Sequence, residues 1–126
     1  AEARIFIFYS LSTEIYTINT FDAGVMPLPD DEWARGKCAF KLIQYMACGV
    51  PSVASPVGAN VTVAANGAAL LADEDAEWLA ALRRLRDDAD LRARLSQAGR
   101  ARVEQTYSLQ ATLPTMAEIM RRAGQR

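Results

Sequence analysis

Three basic side chains, Arg35, Lys37 and Lys41, fall close together at the head of an apolar segment, "RGKCAFKLIQYMACG". The segment reads as a helix over residues 36–48, stopped by Gly49 in a left-handed conformation with Pro51 just beyond. Basic groups at a helix start oppose the helix dipole unless an anion lies beside them. The first-turn N–H groups of such a helix also lack intrahelical acceptors, so its natural ligand is a phosphate or carboxylate. Gly36 lets the backbone approach that ligand closely. Lys37 and Lys41, spaced i, i+4, share one side, with Gln44 and Tyr45 further along it. Phe40, Ile43 and Ala47 line another side. One face would then hold a phosphate at the entrance and a neutral polar group one turn deeper. The plain alternative is a solvated basic face with no ligand.

Other reactive-looking residues each carry two readings. Asp30, Asp31 and Glu32 have the chemistry of general bases or metal ligands, and equally that of an acidic surface loop. Trp33 would stack on a ring or anchor its own loop. Asp73, Glu74 and Asp75 read as helix-cap chemistry. The chain has no histidine. That excludes His-based metal sites and Ser–His or Cys–His catalysis. No GxGxxG or Walker A sequence is present, so neither a dinucleotide nor a P-loop reading has motif support.

The elements that must position these residues alternate in type. "RIFIFYS" (Arg4–Ser10) reads as a strand. "STEIYTINT" (Ser12–Thr20) reads as a short helix capped by Ser12, with Leu11, Ile15 and Ile18 inward. Phe21–Leu28 reads as a second strand, ended by Pro27 and Pro29. "PSVASPVG" runs from a strand into a loop, and "AALLA" (Ala68–Ala72) is a strand after an Asn66-Gly67 turn. Strands alternating with helices predict an α/β fold built on a partial Rossmann-like parallel sheet of about four strands, flanked by helices. A helical C-terminal tail follows. "DEDAEWLAALRRLRDD" has an acidic first turn and a basic last turn, with Trp78, Leu82 and Leu85 at helical spacing. "DADLRARLSQAGRARVEQTY" carries Leu91, Leu95 and Val103 in the same way. Ser108 caps a last helix with Leu113, Met116 and Met120 inward, and Pro114 near enough to its start to allow a kink instead of a break.

Composition sets the outer bounds. With 126 residues, 51% hydrophobic and 23% charged, the chain can bury one core. Its net charge of −1 gives no reason to expect nucleic-acid binding. Cys38 and Cys48 are placed on the one helix ten residues apart, ~15 Å at ~1.5 Å per residue, too far for a disulfide. Two free thiols point to a reducing, cytoplasmic setting. No apolar run is long enough to span a membrane.

In open parallel sheets ligands bind at the carboxyl ends of the strands. Two such ends feed the 28–36 loop and the "SPVGAN" loop beside the basic helix start. With those residues in view, "DAGVMPLPDDEWARGKCAFKLIQYMACGVPSVASPVGAN", followed by "EWLAAL" and "AGRARVEQTYS", resembles the C-terminal half of GT-B glycosyltransferases of family 4. The resemblance runs from about Ser12 to the last helix. It implies a retaining transferase that takes a sugar from a nucleotide-diphosphate sugar and generally needs no metal or other cofactor. Helix 36–48 would be the donor-binding helix, its amides meeting the diphosphate, with Arg35 and Lys41 adding charge. Gln44 falls on the second glutamate of the family's E-x7-E motif, a ribose contact. Ser55, Pro56 and Gly58 would line the loop beside the nucleotide. The implied donor site is thus Arg35, Gly36, Lys37, Cys38, Lys41, Gln44, Ser55 and Gly58, with no assignable catalytic residue.

The sequence departs from the family pattern in three places. Gly36 stands where the first glutamate of E-x7-E would be. Gln44 is neutral, so ribose recognition would be by amide. Asn60–Gly67 is about one residue short and apolar where the family carries a charged helix start. Residues 1–126 are expected to form a single, incomplete C-terminal domain. Its principal partner would be the missing N-terminal domain, which would also make any peripheral membrane contact. Alone, the chain is expected to be catalytically incompetent. The alternative is a non-catalytic α/β module that binds nucleotide or pairs with a second copy through an exposed sheet edge.

Overall fold

The computed structural model describes residues 17–125. Three strands, β1 (Gly24–Met26), β2 (Ser52–Ala54) and β3 (Leu70–Leu71), form a parallel sheet in the order β1-β2-β3. Val25 faces Val53 and Ala54 faces Leu71 across the ladders. The helices are α1 (Glu32–Arg35), α2 (Phe40–Ala47), α3 (Ala59–Val63), α4 (Asp75–Asp87), α5 (Ala89–Arg102) and α6 (Leu109–Ala123). A π turn, Val103–Tyr107, joins the last two. This is the α/β class the alternation predicts, with a parallel sheet, flanking helices and a helical C-terminal region. The strand expected at Arg4–Ser10 and the start of the Ser12–Thr20 helix lie outside the described residues. Thr17 and Ile18 are helical, and Ile18 is buried.

The strands are shorter than the apolar runs that contain them. β1 stops at Met26 because Pro27 and Pro29 have no N–H to give a ladder. Successive strand residues point to opposite faces, and β2 shows this directly. Ala54 packs with Ala39, Leu42, Met46 and Val63 on one face. Val53 packs with Ala81, Leu85, Leu91 and Leu95 on the other. The sheet is therefore covered on both sides. The stripe of Trp78, Leu82 and Leu85 on α4 faces the second cluster as its spacing predicts. Asp75 and Glu77 begin α4, and Arg84 and Arg86 end it. Its backbone entry is held by Glu77, whose carboxylate accepts from the N–H of Asp73 at 2.8 Å. Asp88 caps α5 through the N–H of Leu91 at 2.7 Å. Glycine at 99 lets α5 pass closely over α2: a Cβ there would stand 3.1 Å from both the Ala68 carbonyl oxygen and Met46 Cγ.

The helix expected over 36–48 is two helices. Asp31 accepts from the N–H of Ala34 at 2.7 Å, which nucleates α1 ahead of the basic segment. Gly36 ends α1, residues 37–39 are not helical, and α2 begins only after Ala39, whose φ of 57° is left-handed. Lys37 therefore precedes the helix that carries Lys41, and the two are not an i, i+4 pair on one helix. Cys38 lies in the connection and Cys48 caps the end of α2, so the cysteines do not share a helix either; both are free. The buried side of α2 is Leu42, Tyr45 and Met46, while Phe40 and Ala47 are exposed. The C-terminus of α2 is a Schellman motif. Gly49 (φ 69°) donates to Met46, and Val50 donates to the Tyr45 carbonyl at 2.9 Å.

Ser108 caps α6 as expected, accepting from the N–H of Ala111 at 3.1 Å, and Pro114 sits inside the helix. Leu113, Met116 and Met120, however, are 53%, 53% and 71% exposed, so that face does not turn inward. The inter-element contacts of α6 are chiefly with the π turn before it.

Candidate functional site

β1 and β2 run parallel and end together, at Met26 and Ala54. The loops beyond them are joined at two points. At the first, Ser55 continues the ladder through its N–H to the Met26 carbonyl at 3.1 Å, and its hydroxyl accepts from the N–H of Leu28 at 2.9 Å. The Ser55 carbonyl in turn accepts from the side-chain amide of Asn60 at 3.0 Å. Ser55 and Asn60 are 4% and 1% exposed, so these bonds are shielded from water. At the second point Gly58 meets α1. Its φ of 54° and ψ of −131° suit glycine alone, and a Cβ there would lie 2.6 Å from the Arg35 carbonyl oxygen. The "SPVGAN" loop is thus pressed against the backbone of Arg35.

Beside this junction α2 begins. Ala39 offers no side-chain acceptor to its first turn, and no acidic residue stands there. An eight-residue helix with an uncapped, acid-free start presents the positive end of its dipole to whatever approaches. Lys41 lies in that first turn, half-buried, and Gln44 lies one turn deeper, also half-buried. Lys37 and Cys38 are exposed in the connection between α1 and α2.

The residues singled out from the sequence therefore fall into two groups. Gly36, Lys37, Cys38, Lys41 and Gln44 follow one another from the end of α1 into α2. Gly36 has an ordinary helical φ of −77°, and a Cβ would meet nothing closer than 3.5 Å, so neither backbone nor neighbours require glycine. Arg35, Ser55 and Gly58 instead form the junction. Arg35 turns its guanidinium back to Asp30, with Nε and one terminal nitrogen donating to the two carboxylate oxygens at 2.7 and 2.9 Å. This bidentate pair holds the Asp30 carboxyl below its ordinary range. The Ser55 hydroxyl is buried and already accepting. Its visible role is to tie the loops. Tyr45, placed with Gln44 by spacing, is instead a core residue: its ring is 3% exposed and packs with Phe21 at a centroid distance of 6.4 Å. Asn60 is the residue that spacing did not single out. Its one signal in the sequence is an amide side chain inside an otherwise apolar helix start.

The two thiols differ in reach. Cys38 is exposed, whereas Cys48 is half-buried and burial pushes its thiol up from the ordinary value. Limited iodoacetamide at pH 8 is expected to modify Cys38 well before Cys48. Peptide mass spectrometry gives the order, and equal rates at both would contradict the placement of Cys48.

A cavity of about 340 Å³ lies elsewhere, between Asp22 and Ala23 ahead of β1 and the Leu79–Arg86 side of α4. It is at the amino end of the strand, away from the loop junction. Among the described residues no group of three His, Cys, Asp or Glu side chains could hold a metal ion. No helix among them is long and apolar enough to cross a membrane.

The strand-end loops of the parallel sheet are thus locked to one another beside a helix start that has no side-chain cap. Residues 12–119 match the family described as glycosyl transferase-like, and the chain belongs to that family. None of the curated proteins matches it.

Proposed function

We propose that this chain is the donor-binding part of a retaining, GT-B, family 4 glycosyltransferase. In this reading it is one incomplete C-terminal Rossmann-like domain of a longer enzyme. Its substrate there is a nucleotide-diphosphate sugar. The diphosphate meets the first-turn amides of α2, flanked by Lys37 and Lys41. Gln44 reaches the ribose with a neutral amide. Gly36 and Cys38 leave backbone and a small side chain at the entrance, and Gly58 shapes the loop beside the nucleotide. Arg35 contributes first as the backbone on which Gly58 rests. Its guanidinium is held by a solvent-exposed ion pair with Asp30, so the donor's sugar hydroxyls can recruit it at small cost.

The observation that carries this reading is the locked junction of the two strand-end loops at the start of α2. It supplies a preformed place for an anion on a chain of the glycosyl transferase-like family. Calorimetric titration of the chain with UDP and GDP tests it. Saturable binding to one of them is expected, weakened roughly three- to tenfold by Lys41→Ala, the scale of losing one charge-assisted contact. No binding at millimolar nucleotide, together with a size that grows with concentration, would favour the self-associating module instead.

A further inference from the structure

Trp33 is 81% exposed, more than any other large apolar side chain among the described residues. An indole that open is not anchoring its loop. Nor does α1 need it for that purpose. Asp31 caps the helix, Ala34 is 1% exposed, and Gly58 lies tight against the Arg35 backbone. The fold thus fixes α1 through its other residues and leaves a large aromatic surface in water, at a cost that a binding partner would relieve.

We propose that Trp33 is a stacking platform for a pyranose ring at the mouth of the site. This rests on the donor-site reading for its location, since α1 is joined to the loop junction through Arg35. An aromatic face is electronegative and its edge electropositive. A pyranose presents a face of C–H groups with slightly positive hydrogens and carries its hydroxyls around the rim. The indole of Trp33 suits that face. Its neighbours along the chain carry groups that suit the hydroxyls: the exposed residues Asp31 and Glu32, and the Asp30–Arg35 pair, which retains both acceptor and donor capacity. The same three acids make this a poor seat for a bare phosphate, which places the sugar and not the diphosphate at α1. The ring could belong to the donor or to an acceptor saccharide; the chemistry at Trp33 is the same.

The chain has two tryptophans. Trp78→Phe therefore leaves Trp33 as the single reporter, in a variant checked by circular dichroism. Its emission would be followed during titration with UDP, GDP, UDP-glucose, GDP-mannose, methyl glucoside, methyl mannoside and maltohexaose. A saturable change with a sugar-bearing ligand is expected, with none from UDP or GDP. In the otherwise unaltered chain, Trp33→Ala should weaken that same ligand roughly tenfold by calorimetry, as truncating a central aromatic contact does. Its UDP and GDP affinities should stay within about twofold, the scale of a surface change away from the contact. A response only to nucleotide sugars assigns the ring to the donor, and a response to free saccharides assigns it to an acceptor. The inference is overturned by silence from every sugar ligand, by an equal response to UDP or GDP alone (a stacked base), or by wild-type affinity in Trp33→Ala. Loss of the donor-site reading is separable: wild-type chain that binds neither UDP nor GDP refutes that reading, while a free saccharide that still moves Trp33 emission sustains this one.

Discussion

Gly58→Ala is expected to destabilise the chain by roughly 2–4 kcal/mol and to weaken UDP or GDP binding by at least about tenfold. Two penalties coincide at this position. A φ of 54° with ψ of −131° is a conformation that a Cβ makes costly. The added carbon would also lie 2.6 Å from the Arg35 carbonyl oxygen and 3.0 Å from Arg35 Cα, both backbone atoms that cannot rotate away. Either the loop or α1 must move, and they are the two walls of the junction. Gly67→Ala is the matching control. Gly67 has a φ of 74°, but nothing stands within 4 Å of its missing Cβ. It should show the conformational penalty alone, about 1 kcal/mol, with nucleotide binding intact. Urea unfolding and calorimetry on both variants separate strain from contact. Equal behaviour of the two would mean that the loop does not rest on Arg35.

The parts of this fold that were legible in the sequence are those decided within a few residues. The stop at Gly49, the cap at Ser108 and the dipole-matched ends of α4 all follow from bonds that a short segment makes with itself. The break between α1 and α2 escaped because Ala39 is a good helix former in a left-handed conformation, and nothing local announces that choice. The inward side of α2 escaped for a different reason. Phe40, Ile43 and Ala47 are as apolar and as regularly spaced as Leu42, Tyr45 and Met46, and only the sheet decides between them. The same limit applies to α6. The spacing of Leu113, Met116 and Met120 defines a face suited to burial, but an amphipathic pattern does not say whether its own chain supplies the cover.

The candidate site was legible as residues before it was legible as roles. Lys37, Lys41, Gln44 and Tyr45 were read as one continuous helix side, whereas the chain bends between Lys37 and Lys41 and Tyr45 turns into the core. Ser55 was marked as a ligand contact, but its hydroxyl is buried and accepts from Leu28, twenty-seven residues away. Asn60 was passed over because a side chain that holds a loop has no signature in spacing. The pairing of Arg35 with Asp30 was equally silent, since a contact across five residues belongs to neither a helix nor a strand repeat.

Gly24→Ala is expected to cost roughly 3 kcal/mol, the upper range of overpacking a filled core, without touching any residue of the candidate site. A Cβ on Gly24 would sit 2.6 Å from both Cγ and Cδ2 of Tyr45 and 2.9 Å from the Ser52 hydroxyl. Cγ is the near end of the ring, so a change of ring tilt does not clear it. Retreat of the whole ring is opposed by Phe21 and Val50, which pack in the same buried cluster. Glycine on β1 is therefore what allows α2 to lie so close to the sheet, and that closeness helps set where the start of α2 stands relative to the loop junction. A double-mutant cycle with Tyr45→Ala isolates the contact, because neighbours that share one space do not add. Tyr45→Ala alone removes a large buried ring and should itself cost roughly 3–5 kcal/mol. In that background Gly24→Ala should lose most of its cost, keeping only the part set by the Ser52 hydroxyl, because its Cβ enters space the ring has left. Two full, additive penalties in urea unfolding would show that Tyr45 is not the neighbour that makes glycine necessary, and that α2 approaches β1 less closely than its packing here requires.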